Sequence, residues 1–136
     1  MNKVVAFIKS NDFFKSDMVY HGEYNGYVAV PPGNKYHGKS YFDINDVDVH
    51  GGITLSEPVT NREKTFMSGL KLKPEYVGKR TCLLDNVEFI TSNTDIGDDW
   101  WILGFDTFHA GDNICNWSKK DVIEETNKLM EQVNKK

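Results

Sequence analysis

The run Trp100-Trp101-Ile102-Leu103-Gly104-Phe105 is the most apolar stretch of the chain, and it passes directly into Asp106-Thr107-Phe108-His109-Ala110-Gly111-Asp112. Bounded by Gly97-Asp98-Asp99 before and Gly111-Asp112-Asn113 after, it has the pattern of a buried central strand that delivers polar groups to a sheet edge. The segment expected to face it is Val47 to Ser56. There Val47, Val49, Ile53 and Leu55 fall on one side of a period-2 pattern, and Asp48, His50, Thr54 and Ser56 on the other. Gly51-Gly52 interrupts that pattern, which suggests a bulge or the close approach of a ligand or another backbone. Glycine-pair N–H groups can also form a nest for an anion.

The remaining elements follow from local chemistry. Val4-Val5-Ala6-Phe7-Ile8 reads as a short buried strand, and Asn11 to Asp17 as a helical turn or loop. A strand from Glu23 ends at Val30, because Pro31-Pro32-Gly33-Asn34 places proline and glycine at the two central positions of a type II turn. Val87 to Thr91 is a further strand by β-propensity. The C-terminal helix is signalled by a capping box from Ser118 to Asp121, with Trp117 before it as a hydrophobic staple for Val122. Val122, Ile123, Thr126, Leu129, Met130 and Val133 make its apolar stripe, so the helix is expected to cover the sheet and carry no chemistry of its own. Strands first and a closing helix last predict a single α+β domain over residues 1–136, a mostly antiparallel sheet closed by the C-terminal helix.

Charge and composition exclude several functions. No apolar run approaches the roughly 18 residues of a membrane span, and Met1 to Lys9 lacks the apolar core of a signal peptide, so the expected location is the cytoplasm. A net charge of −4 argues against a nucleic-acid coating protein. The local exception is Arg62 to Arg80, with six basic residues against two acidic ones, which reads as a solvated edge or as a surface for an anionic ligand or partner. Cys82 and Cys115 have no Cys-x-x-Cys spacing, and both are expected to be reduced and packed.

His50, Asp106, His109 and Asp112 are the side chains that offer chemistry. The Asp106-x-x-His109-x-x-Asp112 spacing matches no standard metal-ligand motif, so no metal or other cofactor is favoured. A histidine oriented by a carboxylate can act as general acid or base, but no nucleophile motif, Walker loop or Gly-x-Gly-x-x-Gly accompanies it. Binding without turnover uses the same groups differently. Trp100, Trp101, Tyr36 and Tyr41 offer stacking surface, Lys35 or Lys39 and the Gly51-Gly52 backbone take phosphates, and Asp106 and Asp112 accept hydrogen bonds from hydroxyls or amines, with His50, Thr54 and His109 also at the site. A purely structural reading stands beside these, with His50 and His109 as satisfied strand-end residues and Asp112 in a turn.

Gly26-Tyr27-Val28-Ala29-Val30-Pro31, Val49-His50-Gly51-Gly52-Ile53-Thr54, Trp100-Trp101 through Gly104-Phe105-Asp106, and His109-Ala110-Gly111-Asp112 before a short C-terminal helix together resemble a family of small proteins found in bacteriophages, prophages and bacteria. The resemblance spans most of the chain. Thr107 stands where cysteine is common in that family, which argues against a catalytic thiol there. The family carries no activity across, but its phage setting implies neutralisation of host defence, in some cases by sequestering nucleotide signals. The expectation is therefore a protein that binds a small nucleotide-like anion. A His/Asp hydrolase, metal-assisted or not, is the first alternative and a protein-binding inhibitor the second. A site completed in a homo-oligomer is compatible with each.

Overall fold

The computed structural model describes residues 4–11, 22–61, 74–107, 112 and 117–134. Five strands form one sheet: β1 (Val5–Ser10), β2 (Tyr24–Val30), β3 (Leu55–Pro58), β4 (Val87–Phe89) and β5 (Trp101–Phe105). Their order is β3-β5-β2-β1-β4, with every neighbouring pair antiparallel. Among the described residues one α-helix, α1 (Lys119–Asn134), follows. The fold is α+β, as the succession of elements predicts. β5 is an interior strand, but the centre of the sheet is β2, flanked by β5 and β1.

Period-2 alternation sends the strand side chains to two cores, one on each face. Ala6, Ile8, Val28, Val30, Leu103 and Phe105 meet Val122, Leu129 and Val133 of α1 on one face. Val5, Phe7, Tyr27, Ala29 and Ile102 pack with Val59 and Ile96 on the other. Because both faces are covered, β5 carries an unbroken apolar run rather than alternating polarity. Truncating a side chain as deeply buried as Phe105 or Leu129 removes about 2–5 kcal/mol.

The local signals are realised as geometry. Asn34 N–H donates to the Pro31 carbonyl at 3.2 Å and Gly33 has φ +97°, the type II turn that ends β2. At the start of α1 the Ser118 N–H and hydroxyl donate to Asp121 Oδ2, and Asp121 N–H donates back to Ser118 Oγ. Thr126, buried in the apolar stripe, satisfies its hydroxyl by donating to the Val122 carbonyl at 2.6 Å. Among the described residues no helix is long and apolar enough to cross a membrane.

Two expectations need correction. Residues 47–54 are not a strand, and β3 begins only at Leu55. Cys82 is exposed rather than packed. The expectations for Asp12 to Asp17, the apolar anchors Phe66-Met67 and Cys115 lie outside the described residues.

Candidate functional site

The segment from Pro31 to Ile53 leaves β2, runs along α1 and returns to β3, and it carries most of the residues singled out by sequence. Its far end is a β-turn over Val49-His50-Gly51-Gly52. The Gly52 N–H donates to the Val49 carbonyl at 2.8 Å, and Gly51 and Gly52 have φ +70° and +79°. A positive φ at the third position, with none at His50, makes this a type II turn, and glycine meets that requirement at Gly51 without steric cost. This turn is the physical reason that the alternating pattern of 47–56 does not become a strand.

Three side chains of α1 hold the turn. Asp48 N–H donates to Gln132 Oε1 and Gln132 Nε2 donates back to the Asp48 carbonyl, both at 2.7 Å. His50 N–H donates to Glu125 Oε2 at 2.8 Å. Lys128 reaches Asp48 Oδ2 at 3.4 Å and Glu125 Oε2 at 3.9 Å, neutralising part of the acidic rim. The helix is thus more than a cover for the sheet.

With its backbone fixed, the His50 imidazole is placed between two groups. Nε2 lies 3.0 and 2.9 Å from the two carboxylate oxygens of Asp112. The His50 ring centroid lies 4.1 Å from that of Trp117, with the planes tilted by 36°. Trp117 belongs to the core cluster that contains Val122, but its ring also forms one wall of the histidine site. A carboxylate only accepts hydrogen bonds, so the proton facing Asp112 sits on Nε2. The Asp112 side chain is only 4% exposed and that of His50 24%, so the carboxylate is desolvated while the imidazole keeps an edge toward solvent. Burying a carboxylate costs several kcal/mol, which its partner must offset.

The other predicted residues go elsewhere. Asp106 and Thr54 line a cleft of about 200 Å³ with Asn25, Tyr27, Leu55, Gly104 and Phe105. The Tyr27 phenol is pushed up chiefly by burial, and the Asp106 charge adds to the effect. Trp100 and Trp101 point to opposite faces, Trp100 toward the Ile96 side and Trp101 toward the helix side, so they do not form one stacking platform. Trp101 Nε1–H donates to Ser56 Oγ at 2.7 Å, and its ring meets His37 at 5.5 Å. Thr107 is fully buried, its hydroxyl donating to the Tyr24 carbonyl at 2.8 Å, which makes it a structural residue. His109 lies outside the described residues.

Lys35 and Tyr36 sit at the near end of the same segment. Asn34 Nδ2 donates to the Val133 carbonyl, whereas His50 is held by Glu125, eight residues earlier on α1. At about 1.5 Å per residue these ends are roughly 12 Å apart along the helix. Lys35 is paired with Asp46, and the ammonium groups of Lys35 and Lys39 lie 5.4 and 5.9 Å from the Tyr36 ring centroid. Tyr36 is fully buried and offers no face to a ligand, while Tyr41 is exposed, its ring centroid 4.2 Å from that of Phe42 with the planes tilted by 30°. Burial, with the Asp46 carboxylate beside it, pushes the Tyr36 phenol up to about 12. The bond from Lys35 is the main cause that holds Asp46 below the usual carboxylate range.

Of the predicted residues, then, His50, Gly51, Gly52 and Asp112 come together, and Thr54 and Asp106 share a neighbouring cleft. Sequence reasoning missed Glu125 and Gln132. Both sit on the polar side of an amphipathic helix, where nothing in the local pattern separates a solvated residue from one that binds a backbone N–H. No family model, curated protein or solved structure matches the chain.

Proposed function

We infer that the protein binds a small nucleotide-like ligand carrying an anionic group, at the face where the His50–Asp112 pair meets the Gly51-Gly52 turn. The observation that carries this reading is the desolvated Asp112 carboxylate, committed through both oxygens to a histidine 62 positions away. Well-packed apolar side chains would stabilise a fold at least as well, so fixing an imidazole edge at the surface is the result that needs a function. In its protonated form the imidazole meets an anion, and the acidic rim accepts hydrogen bonds from hydroxyls or amines. With Asp48 and Glu125 on the rim and Asp112 buried behind it, against Lys128 and His50, the site disfavours a polyphosphate and favours a ligand with a single charged group, such as a cyclic nucleotide or nucleoside monophosphate. The resemblance to phage proteins adds a biological setting, in which sequestration of such a nucleotide blunts a host defence signal.

A second reading is supported by the Asp112–His50 geometry itself. A carboxylate that orients an imidazole through one of its nitrogens is an arrangement used in general acid–base hydrolysis of a phosphodiester or ester. One assay separates the two. The purified protein is incubated with a mixture of cyclic and linear nucleotides, and the free pool is measured by mass spectrometry before and after heat denaturation. A nucleotide that disappears and returns intact identifies sequestration, and a new product identifies hydrolysis. Either activity is expected to be lost in His50→Ala with the far-UV spectrum unchanged. An unchanged pool in wild-type protein overturns both readings.

A further inference from the structure

A second cleft, sharing no lining residue with the His50 site, lies at the end of the part of the chain that departs from the acidic average. Its volume is about 550 Å³, and Asn61, Tyr76, Lys79, Arg80, Thr81 and Cys82, with Asp85, line it. That volume falls inside the roughly 300–1,000 Å³ of small-molecule sites, whereas the Asp106 cleft is smaller.

The walls are fixed by the backbone. Asn61 N–H donates to the Lys79 carbonyl and Gly78 N–H to the Asn61 carbonyl, each at 2.7 Å, while Thr81 N–H donates to the Val59 carbonyl at 2.7 Å. Asn61 Nδ2 also donates to the Tyr76 carbonyl at 3.1 Å, and Lys9 Nζ donates to the Cys82 carbonyl at 2.7 Å. These bonds tie two chain segments and β1 into one frame.

The side chains differ in how they are committed. Arg80 is held by Asp98 Oδ1 at 2.7 Å, so part of its charge is spent. No carboxylate among the described residues pairs with Lys79. Tyr76 is 49% exposed, a large apolar surface left in water in the cleft that Lys79 also lines. A flat ring on a phenol face and an anion on a lysine are complementary to this pair, and Asp85 accepts a hydrogen bond from an amine or hydroxyl.

We propose that this cleft binds a small aromatic anion, with Lys79 taking the charged group and Tyr76 the ring. The site is separate from His50 and stands or falls independently of the reading given for it. Cys82 supplies the readout, because an occupant of the cleft shields the thiol.

The test follows alkylation of Cys82 by iodoacetamide in the full chain, with the modified peptide quantified by mass spectrometry. The probes are AMP, adenosine and inorganic phosphate. AMP is expected to slow the reaction at least fivefold at saturation, with adenosine and phosphate each protecting less at the same concentration. In Lys79→Met and Tyr76→Ala the AMP protection is expected to vanish, while His50→Ala retains it. Lys79→Arg is expected to restore it, which a general loss of structure would not. Failure of AMP to protect overturns the proposal. So does equal protection by all three probes, or protection that survives Lys79→Met.

Discussion

The two ends of the segment between β2 and β3 are built from similar parts and arrive at different outcomes. Each has a type II turn, an aromatic ring and a carboxylate paired with a basic side chain. At the near end Lys35 and Asp46 are 11 positions apart, and their side chains are 42% and 35% exposed. At the far end His50 and Asp112 are 62 positions apart and the carboxylate is almost wholly buried. A pair closed locally in water forms whenever its loop forms and adds little stability. A pair that requires the whole fold and desolvates its carboxylate is costly to assemble. The near end thus holds a buried tyrosine in place, and the far end presents an imidazole.

The largest expected effect tests that contrast directly. Asp112→Ala leaves the Nε2–H of His50 without its acceptor and opens a cavity, with an expected loss of about 3 kcal/mol in urea unfolding. Asp46→Ala is expected to shift the midpoint by only a small fraction of that. Equal losses at the two positions would remove the distinction on which the far-end site rests.

The next effect is a pH window specific to the near end. Tyr36 has its phenol raised from 10.0 to about 12, so the folded state holds that proton more tightly than the unfolded state does. Its contribution is fully present below pH 10 and is lost as pH rises through 12, a loss on the order of 2 kcal/mol. Tyr36→Phe should flatten this part of the stability profile relative to wild type, measured by urea unfolding at pH 8, 10, 11 and 12. A profile as steep in the variant would place the titration elsewhere, with Tyr27, whose phenol is also raised, as the next residue to change.

How much of this was legible in the sequence divides along the same line. Strands β1, β2, β4 and β5 and the cap of α1 follow from apolar patterning, Pro32-Gly33 and the Ser118–Asp121 box, because each depends on residues close in the chain. The 47–56 segment has the pattern of a strand, since Val47-Asp48-Val49 alternates as a strand does, yet β3 begins only at Leu55. What overrides the alternation is a turn clamped by side chains 75 and 84 residues away. Tyrosine between lysines, as at Lys35-Tyr36 and Lys39, has the pattern of a recognition loop. The structure instead buries the ring and lays the lysines over it. His50 and Asp112 were picked out as residue types, but only the fold supplies the pairing.

A smaller effect separates the clamp from the pair. Glu125→Ala removes the acceptor of the His50 N–H and is expected to cost about 1 kcal/mol, with ligand affinity at the His50 site falling as the turn loosens. Glu125→Gln keeps an acceptor oxygen and should retain most of both. If Glu125→Ala loses stability but no affinity, the clamp is structural and the imidazole is positioned without it, with Asp112 and Trp117 among the groups that hold the ring.

The smallest expected effect compares the two turns under nearly the same backbone change. Gly33 and Gly51 are both exposed and both hold a positive φ, +97° and +70°. Alanine at either position forces an L-residue into left-handed backbone, at a cost of roughly 1 kcal/mol, without removing a side chain from any contact. Gly33→Ala and Gly51→Ala should therefore lower stability by similar amounts. Their effect on the nucleotide-pool assay should differ, because only Gly51 sits next to the imidazole that meets the ligand. Since the two variants match each other in stability, a loss of binding in Gly51→Ala alone cannot be assigned to general destabilisation. It would tie the ligand to the far end of the segment, whereas equal retention in both variants would separate the His50 turn from binding altogether.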